Sequence, residues 1–203
     1  MKLLLSDESI DRVRVIARRP TGEHHPKLQP LILSDLIEME RKEHLDVFAV
    51  DQIFCALGTT IRKAGSQEKF RGVDHDLPLM AARLGVAQGA HHYLLVSALG
   101  ASNRSRVFYN RVKGELEENL TALHYPSLTI ARPSLLLGPR PEHRLGEEIA
   151  KRLGWLTPPK YRPIEALAVA RALLEAARAD LPGVHIFENR DMREQDKLRQ
   201  TVA

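Results

Sequence analysis

The sequence predicts an α/β domain built on a doubly wound parallel sheet. Short apolar or β-branched segments alternate with longer amphipathic segments along the 203 residues. The longer segments can cross over a sheet and return the chain to a parallel strand. A chain of this length fits a single domain spanning residues 1–203. We therefore expect helices on both faces of one sheet.

Six segments have the composition of strands. Each is rich in Val, Ile, Leu or aromatic residues, and the second is interrupted by Pro30. The predicted strands are 12–19, 27–33, 51–57, 91–99, 127–133 and 183–189.

Five segments between the strands have helical patterns. Ser34 or Asp35 is expected to cap the first helix, and Ser66 to open the second. Pro78 is expected to kink or split that second helix, whereas Pro163 suits the first position of the last. The charged residues 190–203 are predicted to form a frayed tail. The predicted helices are 34–45, 66–85, 105–124, 140–155 and 163–179.

The composition argues against nucleic acid and membrane partners. The 30 Lys and Arg are interleaved with 26 Asp and Glu, leaving a net charge of only +4 and no basic stripe. No apolar run approaches the ~20 residues that a membrane-spanning helix needs. The single cysteine, Cys55, cannot form an internal disulfide, which favours a reducing, cytoplasmic setting.

No metal site is expected from the sequence. There is one cysteine and no pair of histidines spaced for one face of a helix. The pairs His24–His25 and His91–His92 are adjacent, and adjacent side chains point to opposite faces of a strand.

Ser97, Tyr109 and Lys113 are the candidate catalytic residues. Ser97 ends a predicted strand, and Tyr109 and Lys113 are four residues apart on the helix that follows. An ammonium beside a phenol lowers the phenol pKa from its usual value near ~10, so that it can exchange a proton with a carbonyl or alcohol oxygen. The alternative is an ordinary helix face and a hydroxyl that merely ends a strand. The order of the three residues at strand ends favours the catalytic interpretation.

Arg18 and Arg19 follow the first predicted strand and indicate a nucleotide preference. Enzymes that bind NAD often place an acidic residue at the end of the second strand of the fold, whereas an arginine there accommodates the 2′-phosphate of NADP. Residues 12–19 would be that second strand if the first strand of such a fold is missing from this chain. The segment reads IARRP, with two cations and no acid, and NADP(H) is favoured over NAD. The alternative is that both are solvated loop cations.

Four blocks of sequence resemble the short-chain dehydrogenases/reductases. Ser97 followed by Tyr109-Asn-Arg-Val-Lys113 resembles the active-site pattern of that family. The sequence around this pattern resembles an atypical branch of the family, namely bacterial NAD(P)-binding proteins related to the eukaryotic Tat-interacting oxidoreductase. The likeness runs from about residue 3 to about residue 174. The blocks are CALGTTIRKAGS (55–66), YLLVSALGA (93–101), FYNRVKGELE (108–117) and TIARPSLLLGPR (129–140).

The resemblance implies a Rossmann-like fold and a role for each matched residue. Tyr109 would be the general acid/base, Lys113 would contact the nicotinamide ribose and tune Tyr109, and Ser97 would orient the substrate oxygen. The nicotinamide dinucleotide would be lined by Leu57, Gly58 and Thr59, with Pro133 beside the nicotinamide. A small-molecule substrate is implied as the second partner, and a homodimer is left open.

The N-terminal part departs from the family pattern. The family has a first strand followed by a glycine-rich turn that holds the pyrophosphate, but here no glycine precedes Gly22. Residues 3–10 are expected to be the tail of the first helix, so that the first strand is missing and the domain is N-terminally truncated. The two strands that flank the missing first strand in such a sheet would then each have an unpaired, buried edge. Two alternatives to truncation are open. The chain is a degenerate product that folds poorly, or the gap left by the missing strand is closed by direct pairing of its neighbours or by a partner chain.

Three functions remain open from the sequence. The first is an NADP(H)-dependent oxidoreductase acting on an unidentified carbonyl or alcohol. The second is a non-catalytic NADP(H)-binding protein that regulates or contacts a protein partner. The third is an inactive fragment.

Overall fold

The computed structural model describes residues 1–138 and 158–202. The strands are β1 (Val13–Ala17), β2 (Leu28–Ile32), β3 (Gln52–Cys55), β4 (His92–Val96), β5 (Ser127–Arg132), β6 (Leu136–Leu137), β7 (Ile164–Glu165) and β8 (Gly183–Glu188). The α-helices are α1 (Lys2–Leu5), α2 (Ile61–Ala64), α3 (Gln67–Arg71), α4 (Leu77–Ala87), α5 (Phe108–Thr121), α6 (Ala166–Ala179) and α7 (Asn189–Val202).

Every strand pairing in the described residues is parallel, as predicted. The main sheet has the order β3-β4-β5-β8, and a separate two-stranded sheet pairs β1 with β2. A third, very short sheet pairs β6 with β7. The predicted α/β class with helices flanking a parallel sheet is confirmed.

The main sheet is buried on both faces. On one face, Leu95, Leu128 and Ile130 pack with residues of α4 and α5. On the other face, Leu94 and Ala131 pack against α6. Continuous burial explains why β4 and β5 have apolar sequences without alternation.

β1 and β3 lie in different sheets. β1 pairs with β2 and β3 pairs with β4, so the expectation that these two strands close the gap by pairing directly is wrong. Residues 3–10 were expected to be the tail of a helix; Lys2–Leu5 is helical, but residues 6–10 are not. Each of β1 and β3 therefore has one edge without a strand partner in the described part of the chain.

The helix predicted at 34–45 is instead two 3-10 helices. They span Leu36–Glu40 and Lys42–Phe48, with the Asp35 side chain accepting the Ile37 amide at the first cap. Leu36 and Met39 are buried, and side chains three residues apart align along a 3-10 helix.

The second predicted helix is split, but ahead of Pro78. Ser66 caps α3 by accepting the Lys69 amide, as expected. A π-helical turn, Gly72–Asp76, then separates α3 from α4, and Pro78 lies in the first turn of α4, where its missing amide costs nothing.

The C-terminal part of the chain differs from the predictions at two places. Residues 190–203 were expected to fray, but Asn189–Val202 forms α7 because Met192 is buried against α6 and Arg171 pairs with Asp196 at 2.9 Å. Pro163 precedes β7 rather than opening α6, which begins at Ala166. The predicted helix at 140–155 lies outside the described residues.

Candidate active site

Helix α5 carries Tyr109, Lys113 and Glu117 on one face. The spacing of four residues places them along a single stripe of the helix. Gly114 lets α5 approach the loop after β4: a Cβ there would lie 2.1 Å from the backbone carbonyl carbon of Ser102. The stripe is thereby held against the carboxyl ends of β3 and β4.

Lys113 is buried in an ion pair. Its side chain is 4% exposed, and its Nζ lies 2.8 Å from Oδ1 of Asp74, which is 2% exposed. Burying one of these charges alone would be costly, so the pair holds both side chains in place. The structure thus gives the predicted lysine a carboxylate partner that the sequence did not suggest.

Tyr109 lies at the first turn of α5 and is partly buried. Its ring packs on Phe70, with 5.6 Å between the ring centroids. Burial, and secondarily the negative charge of Asp74, raise the pKa of the Tyr109 phenol. The expectation of a lowered pKa is therefore wrong, because burial and the Asp74 charge both raise it.

Ser97 contacts Glu117 rather than Tyr109 or Lys113. Its hydroxyl donates to Oε1 of Glu117 at 2.5 Å. Glu117 is eight residues beyond Tyr109, which is about 12 Å along the helix axis. The structure therefore brings Lys113 beside the loop after β3 but does not join Ser97 to Tyr109.

Glu117 also binds Arg132 at the end of β5. The guanidinium donates from Nε to Oε1 of Glu117 at 3.1 Å, and from Nη1 to Glu188 at 2.9 Å. These carboxylates raise the pKa of Arg132, with Glu117 the larger cause. The next residue, Pro133, is buried, and its carbonyl accepts the Leu99 amide at 2.8 Å.

The loop Leu57–Thr59 follows β3 at the same edge of the sheet. The Thr59 amide donates to Oδ2 of Asp74 at 2.7 Å. A Cβ on Gly58 would lie 3.3 Å from Asp74 Oδ1 and 4.0 Å from Lys113 Nζ, so glycine allows this close approach. The predicted cofactor loop and the predicted lysine are thus neighbours through Asp74.

Arg18 and Arg19 are both exposed just after β1, in the two-stranded sheet.

A nicotinamide dinucleotide fits this arrangement in part. Lys113 and the small Gly58 at the sheet edge suit a ribose, whose hydroxyls can share the ammonium with Asp74. The pyrophosphate end has less support, because no glycine precedes Gly22 and the described residues hold no glycine-rich turn ahead of β1.

Comparison with known proteins decides the family. The chain is 31% identical to the FMP52-1 protein, described as mitochondrial, of Scheffersomyces stipitis, over 96% of this chain and 91% of that protein. It is 32% identical to HTATIP2 of Rattus norvegicus, over 86% of this chain and 73% of that protein.

The chain belongs to the atypical short-chain dehydrogenase/reductase family of FMP52 and HTATIP2. No model in a collection of protein families matches it.

Solved structures of low sequence identity share the fold. MoeE5 in complex with UDP-glucuronic acid and NAD superposes with a TM-score of 0.65 at 16% identity, over 86% of this chain and 67% of MoeE5. WbmH of Bordetella bronchiseptica in complex with NAD+ superposes with a TM-score of 0.67 at 14% identity, over 92% of this chain and 69% of WbmH.

The family corrects the expected location. The relatives of Scheffersomyces stipitis, Debaryomyces hansenii and Candida albicans are described as mitochondrial, so the cytoplasmic prediction is wrong. The lone buried Cys55 argues only against compartments where disulfides form. It gives no means of distinguishing the cytoplasm from a reducing compartment of the mitochondrion.

Asp74 and Glu117 are the site residues that sequence reasoning missed. Each is an acidic residue in a charged helical segment, which usually indicates a solvated face. Both are buried because a cation distant in the sequence, Lys113 or Arg132, reaches them in the fold. A signal was available for Glu117: it continues the stripe of Tyr109 and Lys113 by one further turn.

Among the residues that the structure describes, no cluster of three or more His, Cys, Asp or Glu side chains is placed to hold a metal ion. None of the helices described is both long and apolar enough to span a bilayer.

Proposed function

We propose that the chain is an NADP(H)-dependent oxidoreductase that reduces an unidentified carbonyl compound or oxidises the corresponding alcohol. The observation that carries the proposal is the buried Lys113, one helical turn from Tyr109 at the carboxyl edge of the main sheet. Burying a charged side chain costs desolvation free energy, and buried ionisable groups are concentrated at functional sites. Ligands of open parallel sheets bind at this edge.

Tyr109 is the proton donor in this proposal. A phenol carries its proton at neutral pH, which is the form that carbonyl reduction requires, and burial keeps the pKa of Tyr109 above its usual value. The cofactor supplies the hydride when it is bound. Lys113 positions the ribose, and Ser97 helps to place the substrate once its hydroxyl is directed away from Glu117.

The nicotinamide cofactor is supported by the fold relatives. MoeE5 and WbmH were each solved in complex with NAD or NAD+. Leu57, Gly58, Thr59 and Pro133 line the cofactor in this proposal, because they lie at the carboxyl ends of β3 and β5. The exposed Arg18 and Arg19 favour the 2′-phosphate of NADP(H).

Turnover and binding test the catalytic part. We expect the chain to bind NADPH in calorimetry and to oxidise it with a member of a panel of aldehydes and ketones. Tyr109→Phe should lower kcat by about 100-fold or more while leaving NADPH affinity nearly unchanged. Tyr161→Phe is the matched control, because Tyr161 is half exposed and lies on another element. Turnover that survives Tyr109→Phe would remove the assignment.

The cofactor preference has its own test. Arg18→Ala/Arg19→Ala should reduce the ratio of NADPH to NADH affinity by about tenfold, since a phosphate loses its cationic partners. The control Arg83→Ala/Arg190→Ala removes two exposed arginines elsewhere. An unchanged ratio would assign Arg18 and Arg19 to the solvated surface.

A non-catalytic NADP(H)-binding protein is the second candidate. The engagement of Ser97 with Glu117 favours it, because the hydroxyl that should orient a substrate donates elsewhere. Binding of NADPH with no turnover across the panel would support this candidate over the enzyme.

A further inference from the structure

Asn189, the first residue of α7, is a fully buried amide that joins three parts of the chain. Its Oδ1 accepts the Ser134 amide at 3.0 Å, and its Nδ2 donates to the carbonyls of Lys160 and Arg162 at 3.1 and 2.9 Å. Both N–H donors and the oxygen of the side chain are therefore used on backbone groups of other segments. A buried polar group that is satisfied in this way fixes the positions of the segments that it contacts.

The two segments that Asn189 joins continue as a pair of parallel strands. The Ser134 hydroxyl donates to the Arg162 carbonyl at 2.6 Å, and the Ile164 amide donates to the Leu135 carbonyl at 3.0 Å. Directly beyond these contacts, β6 pairs with β7. A sheet of two such short strands is not stable by itself, so the buried amide at its start helps to set its position.

Ser134 lies at the carboxyl edge of the main sheet, directly after Pro133 and the end of β5. Arg132, the last residue of β5, binds Glu188 at 2.9 Å, and Glu188 directly precedes Asn189. The guanidinium and the amide therefore tie together the same two strand ends, those of β5 and β8. Ligands of open parallel sheets bind at this edge.

Asn189 lies at the opposite end of the four-stranded sheet from the predicted cofactor loop. In the order β3-β4-β5-β8, the loop Leu57–Thr59 follows β3, whereas Asn189 follows β8. Neighbouring strands are ~4.8 Å apart, which separates these two strands by roughly 14 Å. The segments that Asn189 holds are thus better placed to contact a substrate than to contact the nucleotide.

We propose that Asn189 is a positioning residue for the substrate: it holds the segment after β5 against residues 160–162 and thereby sets the wall of the site that faces the substrate. Helix α7 is then part of the site, anchored by the buried Met192 and by the pair of Asp196 with Arg171. This role rests on the proposed function, because it takes the carboxyl edge of the main sheet as the place where the substrate binds.

Hydrogen exchange of the ligand-free protein tests whether Asn189 holds the two segments. In Asn189→Ala, the Ser134 and Ile164 amides should both exchange faster, because the first loses its acceptor and the second loses the fixed position of its partner. In Asn189→Asp, Ser134 keeps an oxygen acceptor and should stay protected, whereas Ile164 should exchange faster, since two carbonyls then face a carboxylate. The control is Asn119→Ala, which removes a bond from α5 to His75. Unchanged exchange at both amides in Asn189→Ala would overturn the proposal.

Steady-state kinetics with the best substrate of the aldehyde and ketone panel tests the functional role. In Asn189→Ala, KM for that substrate should rise by about tenfold while kcat and the Kd of NADPH change by less than about twofold, because Tyr109 and Lys113 lie on another element. A purely structural Asn189 would lower the thermal midpoint and leave KM unchanged. An unchanged KM in a folded Asn189→Ala protein would therefore overturn the proposal.

A milder variant keeps the test decisive if the Asn189 variants fail to fold. Ser134→Ala removes only the hydroxyl bond to the Arg162 carbonyl and leaves the Asn189 amide in place. Because the same two segments are loosened, KM should rise by about threefold with kcat unchanged. A KM equal to that of the parent chain would count against the proposal.

Failure of this proposal and failure of the proposed function give different results. If the parent chain turns over no member of the panel, the enzyme function fails, and the substrate role of Asn189 fails with it. If the parent chain is active and Asn189→Ala has the same KM, the enzyme function stands and only the role of Asn189 is lost.

Discussion

The two principal sheets of this molecule are both parallel, but they are held in different ways. In the four-stranded sheet, β4 and β5 are buried along almost their whole length and covered on both faces. In the two-stranded sheet, only Val13 of β1 is buried, and every residue of β2 is partly or fully exposed. The second sheet packs through Ile16 and Leu31 on a separate small cluster around Met39 and Phe48.

This difference matters for function, because the predicted residues divide between the two sheets. Tyr109, Lys113 and Ser97 lie on or beside the well-covered sheet, where rigid packing can hold a catalytic geometry. Arg18 and Arg19 follow β1. We therefore expect packing mutations in the four-stranded sheet to affect the catalytic residues, and packing mutations in the two-stranded sheet to affect the preference between NADPH and NADH.

The largest predicted effect is a contrast between two leucines. Leu94→Ala in β4 removes a fully buried side chain and should lower the free energy of unfolding by about 3 kcal/mol. Leu31→Ala in β2 removes a partly exposed side chain and should cost about 1 kcal/mol. Urea unfolding monitored by circular dichroism measures both. Similar losses would mean that the two sheets are equally well packed.

The next prediction concerns pH and the amino end of the four-stranded sheet. His92 is fully buried, with Nδ1 2.8 Å from Asp180 and Nε2 2.9 Å from the Thr129 hydroxyl. Burial lowers the pKa of His92 below its usual 6.5, although Asp180 opposes this. The unfolded chain then binds the proton more readily, so this contribution to stability is complete above pH 6.5 and decreases as the pH falls towards the lowered pKa.

His92→Gln should remove that part of the pH dependence. We expect the urea midpoint of the unmodified chain to fall on acidification below pH 6.5, and that of the variant to fall less steeply. His24→Gln, an exposed position between β1 and β2, serves as the control and should keep the original slope. Identical slopes for all three proteins would show that His92 is not the group responsible.

Local patterns predicted much of this fold, and contacts distant in sequence explain most of the rest. Continuous apolar runs identified β4 and β5, and Ser66 was recognised as a helix cap because capping is a local interaction. The ion pair of Asp74 with Lys113 could not be predicted in the same way, because the two residues meet only after the chain has folded. The raised pKa of Tyr109 was also missed, because the burial of its ring, which is the larger cause, and the nearby Asp74 charge both depend on the folded arrangement.

The helix at 189–202 shows that a highly charged composition does not by itself predict a disordered tail. Its sequence is highly charged, which suggested a frayed tail, yet Met192 and Asp196 face α6 on one side of the helix. Two favourable contacts at helical spacing were enough to order it. The 3-10 helices at 36–48 were missed for a related reason, since buried residues three apart fit either helix type.

The smallest predicted effect tests a polar link to the N-terminal segment. Asp7 accepts from the Nε of Arg178 of α6 at 2.9 Å and is otherwise bonded to Ser9, while its carbonyl accepts from Lys27 at 2.7 Å. Arg178 is 57% exposed, so Arg178→Met should lower the thermal midpoint by only about one degree, and less at high salt. Arg190→Met, which removes a pair within α7, is the matched control. Hydrogen exchange at the Leu5 and Ser6 amides should accelerate in Arg178→Met alone, because that pair joins this segment to α6 whereas the Arg190 pair lies within α7. Equal exchange in both variants would mean that apolar contacts of Leu5 hold the segment without the ion pair.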